Sequence, residues 1–255
     1  MTQVLVIARN TFREIMRNRI LYGLIVVAVL LIAMSLALGQ LTFAEQSRIT
    51  VDFGFAAIHL SSVILAIFVG STLVSREIEK KTIMTLLVRP ISRTQFVIGK
   101  SLGLLIVIFI SIALLAIVLA GILLLMNLKP NMAFFVGLYG ICLEATVLLC
   151  VTLFFGTFAS SMLAVSFALG IFLIGHWLES LKYFAERSHN NGFILVERIT
   201  RAIIPNLEYF NWRALFVYGD PVRYGDVVWV TVYCLAWSAL LISVSAMILA
   251  KRDLG

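Results

Sequence analysis

From residue 145 to residue 178 the chain carries no Asp, Glu, Lys or Arg. At a rise of ~1.5 Å per residue a single helix over that stretch would be about 50 Å long, whereas ~20 apolar residues already cross the hydrocarbon core of a bilayer. The stretch must therefore bend, and the small polar residues Gly156, Thr157, Ser160 and Ser161 mark the place for a tight turn. Other runs of spanning length lie at 20–39, 53–75, 101–128, 132–155 and 227–250, interrupted only by Glu144. With 62% hydrophobic and 13% charged residues, the chain departs from the ~45–50% and ~25% of soluble domains, which excludes an ordinary globular enzyme and a disordered chain.

The pattern predicts an all-α membrane protein of six transmembrane helices, at 20–39, 53–75, 101–126, 132–155, 162–178 and 227–250. An interfacial helix is expected over 2–19, an inner loop at 76–98 and an outer segment with short interfacial helices at 179–226. Six crossings put both termini on one face. Twelve of the 20 basic residues and four of the 13 acidic ones then fall on that face, the positive-inside bias that makes it cytoplasmic. This accounts for the net charge of +7 without nucleic acid. The basic leader precedes a full-length span, longer than the ~7–15 apolar residues of a cleavable signal, so the first helix reads as a signal anchor. Cys142, Cys150 and Cys234 fall inside predicted spans and imply no disulfide framework.

Three stretches outside the spans are informative. In the first, Leu5, Ala8, Phe12, Ile15 and Met16 share a helical stripe from which Arg9, Arg13, Glu14 and Arg17 are absent, as in a helix lying at an interface. The second is the inner loop, where charges at Arg76, Glu77, Glu79, Lys80 and Lys81 precede an apolar patch of Ile83, Met84, Leu86 and Leu87. Pro90 ends any helix there. An apolar patch of this kind needs cover from lipid or a partner protein, although an ordinary topology-fixing basic loop is the plainer reading. In the third, the outer segment, Val196, Ile199, Ala202 and Ile203 recur at helical spacing opposite Glu197, Arg198 and Arg201, and Pro205 stops the helix. Tyr209, Phe210, Trp212, Phe216, Tyr218 and Tyr224 suit an interfacial belt.

The loop resembles that of the membrane subunits of ABC-2 type transporters. The carriers of the resemblance are Glu77 and Glu79, Thr82, Leu86 and Leu87, Pro90, Ser92 with Arg93, and Gly99 with Lys100. Lys81 stands where that family usually has glycine. The opening at 6–14 and the stretch 205–211 also resemble the branch that includes multicopper-enzyme maturation permeases. The resemblance implies a homodimer or heterodimer of six-helix subunits in a prokaryotic inner membrane, with membrane lipid as a partner. It further implies a separate cytosolic ABC ATPase docking on a coupling helix whose contacts are Arg76, Glu77, Glu79, Lys80, Lys81, Thr82, Met84, Leu86, Leu87, Pro90 and Arg93.

No cofactor is expected on this chain, ATP and Mg being expected on the partner. Gly99-Lys100-Ser101 is not the end of a phosphate-binding loop, because Thr94 stands where the first glycine belongs. The chain is thus expected to be no enzyme itself; a non-transporting scaffold or force-transmitting subunit is the alternative to a permease.

Within the spans, Glu144 lies mid-helix, where an ionised carboxylate is costly, so it is either a cation or proton site, a polar wall of a substrate path, or a structural hydrogen bond. His59 and His176 lie in the outer halves of their spans. No metal site is expected from them, because no ligand-spacing motif accompanies them. An intramembrane enzyme would need paired ionisable groups at one depth, and Glu144 reads as solitary.

Overall fold

A computed structural model describes residues 2–40, 46–73, 92–188, 190–218 and 221–251. Among the described residues there is no strand, and six helices are long and apolar enough to cross a membrane. In chain order the helices are α1 (Thr2–Met16), α2 (Arg19–Gln40), α3 (Gln46–Ile64), α4 (Arg93–Leu125), α5 (Met132–Gly156), α6 (Ser161–Ser188), α7 (Asn191–Ile203), α8 (Arg213–Tyr218) and α9 (Tyr224–Lys251). Helix α3 continues through a π-helical turn, Leu65–Val69, and its span reaches Leu73.

The helix ends follow from local chemistry. Ser92 opens α4 with a capping box: its Oγ accepts from the Gln95 amide at 3.2 Å, and the Gln95 side chain accepts from the Ser92 amide at 3.2 Å, satisfying two otherwise orphaned donors. At the other end of α4, Asn127 takes a left-handed conformation at φ 60°. The Leu128 amide then donates to the Leu123 carbonyl and the Asn127 amide to the Leu124 carbonyl, the paired closure of a Schellman motif. Asn131 caps α5 through the Phe134 amide. Between α5 and α6 the chain folds back at 157–160, where Thr157 Oγ1 donates to the Phe154 carbonyl.

Three spans run well past the charge-free windows. Helix α6 continues to Ser188 through Glu179, Lys182, Glu186 and Arg187, α3 starts at Gln46, ahead of Asp52, and α4 starts at Arg93, so that 93–98 of the expected inner loop are helical. The α3 and α6 extensions contain no glycine or proline to stop them, and charges at a span's end can project past the hydrocarbon.

Helix α5 stands at the centre, packed by α3, α4, α6, α8 and α9. It is buried nearly all round, as a helix with no polar face must be in a bundle core. Helix α1 lies along the start of α4, and Phe96 and Val97 of α4 meet Leu249 of α9. Helix α1 and the end of α9 thus gather at one end of the bundle.

The two amphipathic helices differ from the simple stripe reading. In α1 the buried positions are Ala8, Thr11 and Ile15, while Leu5 is exposed. The reason is the trough on α4: a Cβ on Gly99 would press on Ile7, and one on Gly103 would lie 2.7 Å from the Ala8 carbonyl oxygen. In α7 the predicted apolar face is turned outward, with Phe193, Val196, Ile199 and Ile203 all exposed, while Glu197 is buried. A polar network on the protein side outcompetes apolar packing when lipid covers the other face.

Candidate functional site

Three titratable side chains converge inside the bundle: His59 from α3, Glu144 from α5 and His176 from α6. His59 Nε2 lies 2.9 Å from each carboxylate oxygen of Glu144, and His176 Nε2 lies 3.5 Å from Glu144 Oε1. One ligand atom from each residue falls within 4.8 Å of the other two. Glu144 is 3% exposed, and the two imidazoles are largely buried.

His176 Nδ1 sits 3.0 Å from the Phe172 carbonyl oxygen. A carbonyl only accepts, so this nitrogen carries the hydrogen and donates it, and in the neutral ring Nε2 presents its lone pair toward Glu144. Phe172 flanks both rings, with centroids 4.7 Å from His176 and 6.0 Å from His59. Such a group can hold a proton or a cation between its three members.

The segment following α7 closes the cluster from the end opposite α1. Pro205, Asn206, Leu207 and Phe210 are buried between helices, where only glycines leave room. A Cβ on Gly140 would collide with the Phe210 carbonyl oxygen, and one on Gly175 would lie 2.8 Å from Leu207 Cγ. The Leu207 amide donates to the Gly175 carbonyl at 3.2 Å. Phe210 therefore belongs to the core and not to an interfacial belt: the inserted backbone carries it inward. A small cavity is left between His59, Glu144, His176, Gly137, Asn211 and Arg213, with room for about one water molecule.

Above it a polar network pins the inserted segment. Asn206 Nδ2 donates to Glu179 at 2.8 Å, the Asn206 amide donates to the Tyr233 hydroxyl at 2.8 Å, and Arg201 bonds Glu197 at 2.6 Å. Burial works against the Arg201 cation, but Glu197 and Glu179 outweigh it and hold the guanidinium above its ordinary range. Tyr233 stacks on Trp229 with centroids 5.5 Å apart.

Glu144 is thus not solitary, as its sequence context suggested, and His59 and His176 are its partners. Motif spacing could not reveal this, since the three residues sit on different helices. Depth becomes equal only with the observed helix ends, His59 lying thirteen residues after Gln46, Glu144 twelve after Met132 and His176 twelve before Ser188; the charge-free windows, starting at 53 and ending at 178, hide it.

Of the residues expected at the ATPase contact, only Arg93 is among the described ones. Arg76, Glu77, Glu79, Lys80, Lys81, Thr82, Met84, Leu86, Leu87 and Pro90 lie outside the described residues. Arg93 is the first residue of α4, directly after its Ser92 cap. Seven residues on, Lys100 is buried and reaches Glu14 of α1 at 3.3 Å.

A bundle of six apolar spans with a polar cluster at its centre defines an integral, multi-pass membrane protein of all-α construction. The profile of the ABC-2 family transporter proteins matches residues 5–254, so the chain belongs to that family and is a membrane permease component of an ABC transporter. A search of curated proteins returns no match.

Proposed function

We propose that this chain is the membrane-spanning subunit of an ATP-driven exporter, working as a homodimer or heterodimer with a separate cytosolic ATPase. The observation that carries the reading is the family match over 5–254, whose members generally work with a cytosolic ABC ATPase. The sequence adds the means of coupling. Met84, Leu86 and Leu87 supply apolar anchors for the ATPase, and Arg76, Glu77, Glu79, Lys80 and Lys81 set its register through rim charge. Closure of the ATPase on ATP pushes this segment, and the motion enters α3 on one side and α4 on the other.

The bias of basic residues supports a cytoplasmic loop and cytoplasmic termini, and the family resemblance supports a prokaryotic inner membrane. Hydrolysis belongs to the partner, because 76–98 is too short to fold as a nucleotide-binding domain and lacks a phosphate-binding loop.

The test is Leu86→Asp with Leu87→Asp. Burying two carboxylates in an apolar interface costs more than such a contact supplies. The double variant is expected to lose ATPase co-purification and ATP-driven export while the subunit still reaches the membrane. Retention of both activities refutes the coupling role.

A further inference from the structure

We propose that His59, Glu144 and His176 form a binding site for one divalent transition-metal ion of the Zn²⁺ class, built into the centre of the bundle. Three features of the geometry point to an ion. Tetrahedral coordination with bonds of ~2.0–2.1 Å sets ligand atoms about 3.3 Å apart, and the observed separations are 2.9 Å and 3.5 Å, with all three atoms inside 4.8 Å. Small side-chain adjustments therefore bring three ligands around one centre.

The hydrogen bond from His176 Nδ1 to the Phe172 carbonyl is the second feature. Metal-binding histidines commonly donate their other ring N–H to a backbone carbonyl, which fixes the tautomer and aims the free nitrogen at the ion. In the neutral ring this leaves the Nε2 lone pair facing a carboxylate oxygen. Two acceptors 3.5 Å apart repel unless a proton or a metal cation lies between them, and the arrangement of three ligand atoms suits the latter.

Third, a carboxyl group held among apolar helices with two imidazoles is a donor set that a bound cation stabilises. The adjoining cavity has room for about one water, the fourth ligand of an open site. Arg213 lines its mouth, held by a bond from its Nε to Asn211 at 2.8 Å, and its charge suits a water or anion in that position.

The donor set selects the metal. Two imidazoles and one carboxylate suit Zn²⁺, Co²⁺, Ni²⁺ and Fe²⁺; the imidazoles disfavour Mg²⁺ and Ca²⁺, and no sulfur ligand belongs to the group to favour Cu⁺. Because the ligands come from α3, α5 and α6, the ion ties three spans together in the arrangement seen here. Any motion that parts those helices must release it.

The site is read on the isolated subunit without an ATPase, so its failure leaves the transport reading standing. The chain is purified in detergent without a polyhistidine tag, stripped with chelator, equilibrated with Zn²⁺ and separated from free metal. We expect about one equivalent of Zn²⁺ per chain by elemental analysis, and visible ligand-field bands when Co²⁺ replaces it. Outer-sphere partners alone change metal affinity by ~10–100-fold, so Glu144→Gln and His176→Gln should each weaken binding by at least about 100-fold. His189→Ala, which changes the remaining histidine of the chain, should bind as the parent does.

Should the variants fail to fold, the unaltered chain decides, since Zn²⁺ but not Mg²⁺ should raise its thermal midpoint. Absence of stoichiometric Zn²⁺ in the unaltered chain overturns the proposal. So does equal binding by folded Glu144→Gln, or equal stabilisation by Mg²⁺; a cluster that takes up only protons gives the first of these results.

Discussion

The two ends of the bundle are held together by different chemistry. At the end carrying α1, that helix rests in a trough on α4 lined by Gly99 and Gly103, with an ion pair from Lys100 to the exposed Glu14 beside it. At the opposite end, a stretch of irregular backbone is driven between helices and pinned by Glu179, Arg201, Asn206 and Tyr233. Close packing of small residues makes no directional bond, so a helix in such a trough can shift without leaving a hydrogen bond unmade. Hydrogen bonds in a low-dielectric interior fix orientation, and leaving one unmade is costly. The terminal end is thus built as a joint, and the distal end as a plug that sets the positions of His59, Glu144 and His176.

The largest expected effect tests that contrast with one methyl group at each end. In Gly140→Ala the new Cβ strikes the Phe210 backbone oxygen, in a segment that cannot retreat without breaking its polar anchors. Overpacking of this kind costs ~3 kcal/mol or more when only backbone can yield. Gly103→Ala also meets a backbone oxygen, that of Ala8, but if α1 is a joint it yields as a whole without breaking a backbone hydrogen bond to α4, and alanine gains ~1 kcal/mol of helix propensity over glycine. Thermal unfolding in detergent should therefore fall by many degrees for Gly140→Ala and little for Gly103→Ala. Equal losses would mean that the terminal end is as rigid as the distal one.

How much of this was legible in the sequence divides along the same line. The spans and the turn at 156–161 follow from charge-free length, because lipid penalises every charge and every unpaired backbone group locally. The Asn127 closure and the Ser92 cap likewise depend on neighbours in sequence. What escaped was set by neighbours in space. The inward-facing Glu197 was invisible because its partner Arg201 looked like the other half of a solvated face, and amphipathicity does not say which face meets lipid. The inserted segment 205–210 read as a surface belt because its aromatics fit one; only Gly140 and Gly175 hinted that backbone would approach there. His59, Glu144 and His176 lacked any common motif, and their equal depth emerges only once α3 is extended back to Gln46 and α6 on to Ser188.

A smaller effect sharpens the account of the plug. Tyr233→Phe removes the hydroxyl that accepts from the Asn206 amide while keeping the ring that stacks on Trp229. The amide is left without that acceptor in a buried setting, a loss of about 1–2 kcal/mol. Hydrogen exchange should show the amide of Asn206 exchanging faster, and the neighbouring Leu207 amide, bonded to Gly175, following it if the plug loosens as a unit. Unchanged protection at both amides would show that apolar packing of Leu207 and Phe210, and not the polar network, holds the segment.

The smallest effect belongs to the terminal end. Ser92→Ala removes the side-chain half of the capping box and frees the Gln95 amide at the start of α4. Loss of such a cap costs ~1 kcal/mol, and the helix end frays by a turn at most. If α1 and α4 form a joint, this fraying stays local: the thermal midpoint drops by only a few degrees, and Zn²⁺ binding at the distant cluster is unaltered. The trough formed by Gly99 and Gly103 lies beyond the first turn of α4, so α1 keeps its seat. A change in metal affinity on removing this one hydroxyl would mean instead that the two ends are coupled through α4 as a rigid rod, and that the distinction between joint and plug is wrong.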